Sequence, residues 1–153
     1  MLDITILTIG ELKEKHWQAA SEEYLKRFRP YARIKIEELK AESFSRATQG
    51  KTKKKEADRL KAYLEKKSTA LVFLLSEEGE EMDSYVFAET LKNITQPLIF
   101  VIAGSLGFDR ELFEAYPKIS LSKLTFPHEL ARVILFEQLY RAFTIIKQKD
   151  YHY

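Results

Sequence analysis

The sequence predicts an α/β fold with one domain, residues 1–153, in which a parallel sheet is flanked by helices on both faces. Short apolar segments alternate with segments of helical periodicity along the whole chain. Two apolar segments, residues 70–75 and 97–103, are continuous, as in strands buried on both faces of a parallel sheet. No repeat and no linker rich in proline, glycine or serine divides the 153 residues, so we predict one core.

The first half of the chain begins with an alternating strand over residues 2–9 that ends at Gly10. Helical spacing of apolar residues predicts a helix over 14–28, which Pro30 stops. A second alternating strand carries Ile34, Ile36 and Leu39. The polar residues 41–51 are interpreted as a loop, and the basic segment that follows is predicted to be helical.

The second half continues the alternation after the buried strand at 70–75. Asp83 and Asp109 are each placed to cap a helix, because an aspartate side chain accepts hydrogen bonds from free amides at a helix start. The buried strand at 97–103 and a brief strand at 119–121 complete the sheet. Pro127 is predicted to open a long helix that runs to about residue 147.

Composition excludes several classes of protein. With 45% hydrophobic and 31% charged residues, the chain has an ordinary soluble composition. No cysteine is present and the three histidines lie far apart, so neither a disulfide scaffold nor a metal site is predicted. No segment approaches the roughly 20 apolar residues of a membrane span, and the start lacks the features of a signal peptide. We therefore expect a cytoplasmic protein.

Charge is distributed unevenly although the net charge is only +2. Residues 51–67 contain eight basic and three acidic residues, including the run Lys53, Lys54 and Lys55. Such a segment can hold phosphates, and Lys53, Lys54 and Lys55 are the candidates for docking on a ribosome. A solvated helix face is the alternative interpretation.

A ligand site is expected beyond the carboxyl ends of the strands, where open α/β sheets bind ligands. Four of the five glycines follow predicted strands, at Gly10, Gly79, Gly104 and Gly107, although glycines also serve simple turns there. The pattern is not a dinucleotide fingerprint, and the phosphate loop and the nucleophile elbow are both missing. Common NAD, ATP and hydrolase enzymes are thus disfavoured.

The segment from residue 120 to residue 128 is the most informative loop. Its amides precede a helix start, where they can hold polar atoms of a small ligand. Leu121, Leu124 and Phe126 can form the walls of an apolar slot for an adenine ring.

The last helix is apolar nearly all round, which predicts that its far side is covered too. A second subunit is the natural cover in so short a chain, and a central helix within one subunit is the alternative. Arg132 and Arg141 interrupt the apolar surface and are candidates either for pairing with Glu137 or for holding RNA phosphate. The tail ends in Tyr151, His152 and Tyr153, which suits stacking on unpaired bases or packing on the body.

Four segments together resemble a known family: residues 104–107, 120–128, 137–143 and 151–152. Leu-Thr-Phe-Pro-His followed at its spacing by Tyr-Arg-Ala-Phe is a specific combination. These segments resemble the smallest SPOUT methyltransferases, the RlmH-type enzymes that methylate N3 of a pseudouridine in large-subunit ribosomal RNA. The likeness extends over essentially the whole chain, including the opening residues 6–10.

The resemblance implies a SPOUT fold with a C-terminal trefoil knot, an exception to the rule that chains are not knotted. It also implies S-adenosylmethionine as cofactor, a homodimer whose sites are shared between subunits, and the assembled ribosome as substrate. The expected cofactor contacts are those matching the family, namely Leu75, Gly104, Leu121, Ser122, Lys123, Leu124, Thr125 and Phe126. Tyr151 and His152 match the family's C-terminal end near the target base.

For the chemistry, His152 is the candidate general base for the weakly acidic N3 proton, with Tyr151 beside it and His128 as the second choice. The main rival is a non-catalytic ribosome assembly factor that binds RNA and has kept the fold. A SPOUT enzyme acting on transfer RNA and a flavodoxin-like binding protein are further alternatives. The transfer-RNA enzyme would need RNA-binding modules for which 153 residues leave little room. The flavodoxin-like protein would need a flavin or nucleotide loop, which this sequence lacks.

Overall fold

The structure is a computed structural model that describes residues 1–153. Five strands and five α-helices alternate along the chain as the sequence predicts. Their bounds are β1 Leu2–Ile9, α1 Lys15–Phe28, β2 Ala32–Leu39, α2 Gln49–Glu65, β3 Leu71–Glu81, α3 Ser84–Lys92, β4 Leu98–Ile102, α4 Arg110–Ala115, β5 Lys118–Ser120 and α5 His128–Ile146.

All five strands are parallel and form one sheet in the order β2-β1-β4-β3-β5. The sheet separates two apolar cores. Residues of α1, α3 and α5, such as Phe28, Leu91 and Phe136, fill the larger core on one face. Residues of α2 and α4, such as Leu60 and Leu112, fill the smaller core on the other. The predicted parallel sheet with helices on both faces is confirmed.

Both predicted helix caps are present. The side chain of Asp83 accepts a hydrogen bond from the amide of Val86 at 2.8 Å and so starts α3. The side chain of Asp109 accepts from the amides of Glu111 and Leu112 at 3.0 and 3.3 Å and starts α4. These contacts satisfy amides that have no partner inside the helix, and α4 in consequence begins directly behind the glycine turn after β4.

The segment predicted as a loop over 41–51 is shorter than expected. A 3-10 turn covers Arg46–Thr48, and α2 already begins at Gln49. Ser45 and Thr48 form a reciprocal cap, in which the amide of Ser45 donates to the hydroxyl of Thr48 at 2.9 Å. This cap sets the start of the helix ahead of Gly50, which is predicted from the sequence to lie in the loop.

Strand β3 extends to Glu81, beyond the predicted end at residue 75. Its pairing with β5 is interrupted by a bulge, because Leu75 and Glu80 both lie opposite Ile119. Gly79 closes the bulge: a Cβ on it would lie 2.7 Å from the backbone carbon of Ile119, closer than any side chain tolerates. The bulge therefore projects residues 76–78 past the end of β4.

Helix α5 is the centre of the larger core. It packs between α1 and α3, and none of its residues is fully exposed. Leu135, Phe136 and Leu139 are completely buried, whereas Leu130, Val133 and Ile134 remain half-buried. The helix is thus central within one subunit and still presents an apolar strip outward. No helix of the chain has the length and hydropathy of a bilayer span.

Candidate active site

A cleft of about 680 Å³ lies beyond the carboxyl ends of β3, β4 and β5. Its walls are the bulge of β3, the turn after β4 and the loop between β5 and α5. The volume falls in the range of pockets that hold cofactor-sized ligands. Because these three chain segments converge there, this cleft is the place where the topology predicts a ligand site.

The turn after β4 brings backbone to the cleft floor. Gly107 has a φ of +74°, a left-handed conformation that side chains other than glycine rarely adopt, and its amide donates to the carbonyl of Gly104 at 3.0 Å. A Cβ on Gly104 would lie 3.0 Å from Cγ2 of Ile9 and 3.1 Å from Oε2 of Glu56. A side chain at 104 would therefore press on both neighbours.

Seven of the eight predicted cofactor contacts line this cleft: Leu75, Gly104, Leu121, Ser122, Leu124, Thr125 and Phe126. Lys123 does not, because its ammonium turns outward to Glu81 at 3.4 Å. A cofactor contact of Lys123 as part of the wrapping loop stays a prediction. The hydroxyl of Ser122 accepts the amide of Leu124 at 3.0 Å, which folds the loop back on itself and leaves Leu124 largely exposed at the mouth.

The sequence reading missed several residues of the cleft. Glu77 and Glu78 reach it through the β3 bulge, and Arg110 and Glu114 reach it from α4. Lys53 arrives from α2, whereas Lys54 pairs with Asp58 at 3.3 Å and Lys55 is exposed. The glycine at 79 was the sequence signal for the bulge, because a glycine inside a strand often marks one.

Arg132 is buried and fully engaged. Its guanidinium donates to Glu38 at 3.1 Å, to the hydroxyl of Thr8 at 2.9 Å and to the carbonyl of Gly10 at 3.3 Å. Only 4% of the side chain is exposed. The prediction that Arg132 holds RNA phosphate is corrected: this arginine ties α5 to the ends of β1 and β2.

The chain's C-terminal tail folds onto α5 and forms a second cluster. The hydroxyl of Tyr151 donates to Oε1 of Glu137 at 3.2 Å, and the guanidinium of Arg141 lies 5.0 Å from the centre of the Tyr151 ring. Arg141 also donates to Glu137, at 3.0 Å from its Nε. Burial raises the pKa of the Tyr151 phenol, with Tyr24 and Glu137 adding to the effect. Tyr151 is therefore neutral and acts as a hydrogen-bond donor.

His152 is held in one tautomer by this cluster. Nη1 of Arg141 lies 3.0 Å from Nδ1 of His152, and the ring packs edge-on against Tyr85 at 4.7 Å. A guanidinium has no acceptor, so Nδ1 must accept and the ring proton must reside on Nε2. In this arrangement His152 presents an N–H group outward, not a free base.

The cleft and the tail cluster lie apart within one chain. Ala131 of α5 lines the cleft, whereas Arg141 of the same helix holds His152. Ten residues of α-helix separate them by about 15 Å along the axis. Tyr151 and His152 therefore do not reach the predicted cofactor residues of their own subunit, whereas His128, the second choice for the base, lines the cleft. The chain contains no cluster of three or more acidic or histidine side chains that suits a metal ion.

An open parallel sheet with a glycine-walled cleft at its carboxyl edge is the arrangement in which α/β proteins bind small ligands. The family described as "Predicted SPOUT methyltransferase" matches residues 2–152, and the chain belongs to this family. SPOUT methyltransferases take their methyl group from S-adenosylmethionine. Their substrates in ribosomal RNA modification are RNA chains.

Named relatives are similar over their full length. The "Ribosomal RNA large subunit methyltransferase H" of Ruminiclostridium cellulolyticum is 42% identical over 160 residues, covering 99% of both chains. The protein of the same name from Kosmotoga olearia is 42% identical over 158 residues, covering 99% of this chain and all of its own. A solved probable methylase family protein from Haemophilus influenzae shares the fold at 12% identity, with a TM-score of 0.54 over the whole chain and 72% of its own.

Proposed function

We propose that this protein transfers a methyl group from S-adenosylmethionine to N3 of a pseudouridine in large-subunit ribosomal RNA, in the cytoplasm and on the assembled ribosome. The observation that carries the proposal is the cleft behind β3, β4 and β5, which gathers seven of the residues matching the family's cofactor contacts. The relatives that match over their full length are named as methyltransferases of large-subunit ribosomal RNA, which indicates the substrate class.

The cleft fits the proposed cofactor in shape and chemistry. Leu106, Phe108, Leu121 and Phe126 give it apolar walls suited to an adenine ring, and the glycine turn leaves backbone open to polar atoms. When bound there, S-adenosylmethionine supplies an activated methyl group. The chain's own task is to hold the base in line at about 3 Å from that methyl and to keep water out.

In this mechanism His152 donates a hydrogen bond through Nε2 to a carbonyl oxygen of the target base. The negative charge that develops on the ring as N3 loses its proton is stabilised by such a donor. Arg141 fixes the tautomer, and Tyr151 anchors the tail through Glu137. We assign this role to His152 in place of the general base expected from sequence, because Arg141 occupies the only ring nitrogen free to accept.

A homodimer completes the site by bringing the tail of one subunit to the cleft of the other. The support for it is the separation of about 15 Å along α5, together with the apolar strip on the same helix. Leu130, Val133 and Ile134 lie half-buried on α5, and Tyr85 and Val86 of α3 are 60% and 51% exposed. Large apolar side chains left open to water in a monomer favour a covering subunit.

Replacing Ile134 with lysine is expected to yield monomers. A charge in the middle of the apolar strip must be desolvated when two copies meet, which disfavours the interface. Sedimentation velocity measures the outcome, and circular dichroism checks the fold. Phe44→Lys is the matched control, since Phe44 is a 40% exposed apolar residue on the loop before α2, outside the strip. A dimer that survives Ile134→Lys would contradict this interface.

The basic face of α2 is proposed as the ribosome contact, with Arg141 assisting at the tail cluster. Changing Lys53, Lys54 and Lys55 to glutamate should weaken ribosome binding and reduce its salt dependence by about 1–3 in log–log slope. Filter binding at several salt concentrations measures both. The control reverses Lys13, Lys15 and Lys26, giving the same change in net charge on another surface. Equal effects of the two triple variants would return α2 to the role of a solvated helix face.

The decisive experiment is methyl transfer from labelled S-adenosylmethionine to ribosomes that lack the modification, followed by mass spectrometry of the nucleosides. Methylpseudouridine in large-subunit RNA is the expected product. Cofactor binding with no transfer to ribosomes or free RNA would overturn the substrate. Ribosome binding without cofactor binding would favour the non-catalytic assembly factor instead.

A further inference from the structure

Glu56 is a buried carboxylate without a partner. Only 8% of the residue is exposed, and it makes no hydrogen bond or ion pair. The nearest guanidinium, Arg59 on the next turn of α2, is bound to the carbonyl of Lys40 and to Glu42 instead. Burying an unpaired charge is costly unless something compensates it. The other buried positions of α2 are Thr52, Ala57, Leu60 and Leu64, so Glu56 is the one acidic residue among them.

The position of Glu56 connects it with the cleft. Both carboxylate oxygens lie within 3.1 and 3.4 Å of the point where Gly104 would carry a Cβ, directly behind the cleft floor. One turn earlier on α2, Lys53 lines the cleft. Glu56 itself does not line it. Its charge therefore acts on a ligand through space, across the Gly104 backbone.

The proposed reaction changes the charge of the cofactor at this place. Transfer breaks the bond between sulfur and the methyl carbon and leaves the electron pair on sulfur, while the carbon joins N3 and the N3 proton passes to solvent water. The sulfonium of S-adenosylmethionine is cationic, and the thioether of S-adenosylhomocysteine is neutral. A fixed negative charge behind the cleft floor thus stabilises the cationic substrate form over the neutral product form.

We propose that Glu56 is a positioning residue that makes the cleft prefer S-adenosylmethionine over S-adenosylhomocysteine, by setting an unneutralised carboxylate behind Gly104. The proposal rests on the proposed location of the cofactor in this cleft. Exposed carboxylates in the same cleft, Glu77 and Glu78, contribute less because water screens them.

The acid–base state of Glu56 is consistent with this role. Burial raises its pKa, the charge of Arg59 opposes the rise, and Glu42 adds to it. A bound cation would stabilise the ionised form. The ionised carboxylate and the cationic cofactor therefore stabilise each other, whereas the neutral product makes no such charge interaction with Glu56.

The test is isothermal titration of the full-length protein with each cofactor form, without RNA. Glu56→Gln keeps the shape and removes the charge. It should weaken binding of S-adenosylmethionine by about tenfold and leave binding of S-adenosylhomocysteine nearly unchanged. Glu65→Gln, the same substitution at an exposed site at the end of α2, should leave the ratio of the two affinities as it is.

A second variant covers the case in which the glutamine leaves an unsatisfied amide and the protein fails to fold. Glu56→Met puts an apolar side chain of similar length in an apolar place, so it should raise the melting temperature and still lose the preference. Equal weakening of both ligands, or an unchanged ratio in a folded variant, would overturn the proposal. Gly104→Val tests the location separately: if both ligands still bind it normally, the cofactor lies elsewhere.

Discussion

His152→Ala is expected to lower the rate of methyl transfer by about 10²–10³-fold and to leave the affinity for S-adenosylmethionine unchanged. The loss corresponds to removal of one hydrogen-bond donor aimed at developing charge. Because His152 contacts the target base and not the cofactor in the proposed mechanism, the substitution removes no cofactor contact. Single-turnover kinetics on ribosomes and titration calorimetry measure the two quantities. Tyr153→Ala is the control, since Tyr153 is fully exposed.

The shared site can be tested with the same variant. The His152→Ala variant has an intact cleft but a defective tail, and the Gly104→Val variant has an intact tail but a defective cleft. Each homodimer is therefore expected to be inactive. A mixed dimer of the two contains one site that is intact in both parts, and mixing should restore activity. The contrary result is that mixed dimers form but remain inactive. The cleft and the tail of each site would then belong to the same chain.

Arg132→Ala is expected to lower the free energy of unfolding by about 2–3 kcal/mol, because it removes the buried donor to Thr8 and Gly10 and leaves Glu38 without its cation. Urea denaturation at a fixed protein concentration measures this loss. Arg110→Ala is the matched control. The pair of Arg110 with Glu114 spans one turn of α4 at the surface, so its loss should cost less than about 0.5 kcal/mol.

The same variant decides between a structural role and an RNA role for Arg132. A structural arginine predicts that Arg132→Ala, measured well below its melting temperature, binds ribosomes with an unchanged salt dependence. A shallower salt dependence combined with unaltered stability would restore the interpretation as a phosphate contact.

Much of the fold followed from the sequence because periodicity and caps are local. The strand over 2–9 and the aspartate caps at 83 and 109 match the structure. The bulge of β3 did not follow, since it depends on how closely the backbones of Gly79 and Ile119 approach across the sheet. The early start of α2 was missed because the Ser45–Thr48 cap was not recognised in a polar segment.

The candidate site was predicted in part for a related reason. Loop residues such as Leu121 and Phe126 belong to a continuous segment, so the motif located them together. Arg132 and Arg141 share a helix, but their spacing in the sequence does not predict their different surroundings. Arg132 is buried against Glu38, whereas Arg141 contacts the C-terminal tail. The role of Glu56 could not be predicted from the sequence, because this residue lies within a basic segment that is rich in exposed charges. Its burial is a property of the folded chain only.

The position of β1 has a consequence for how the chain acquires its structure. Ile4 is in register with Leu98, so the first strand finds its inner neighbour only after most of the sequence is available. The larger core in turn needs α5, the last helix. Closing so long a loop before the contacts form is unfavourable and places such chains among the slower folders. N-terminal fragments are therefore expected to stay unstructured and exposed to proteases until the final helix has been made.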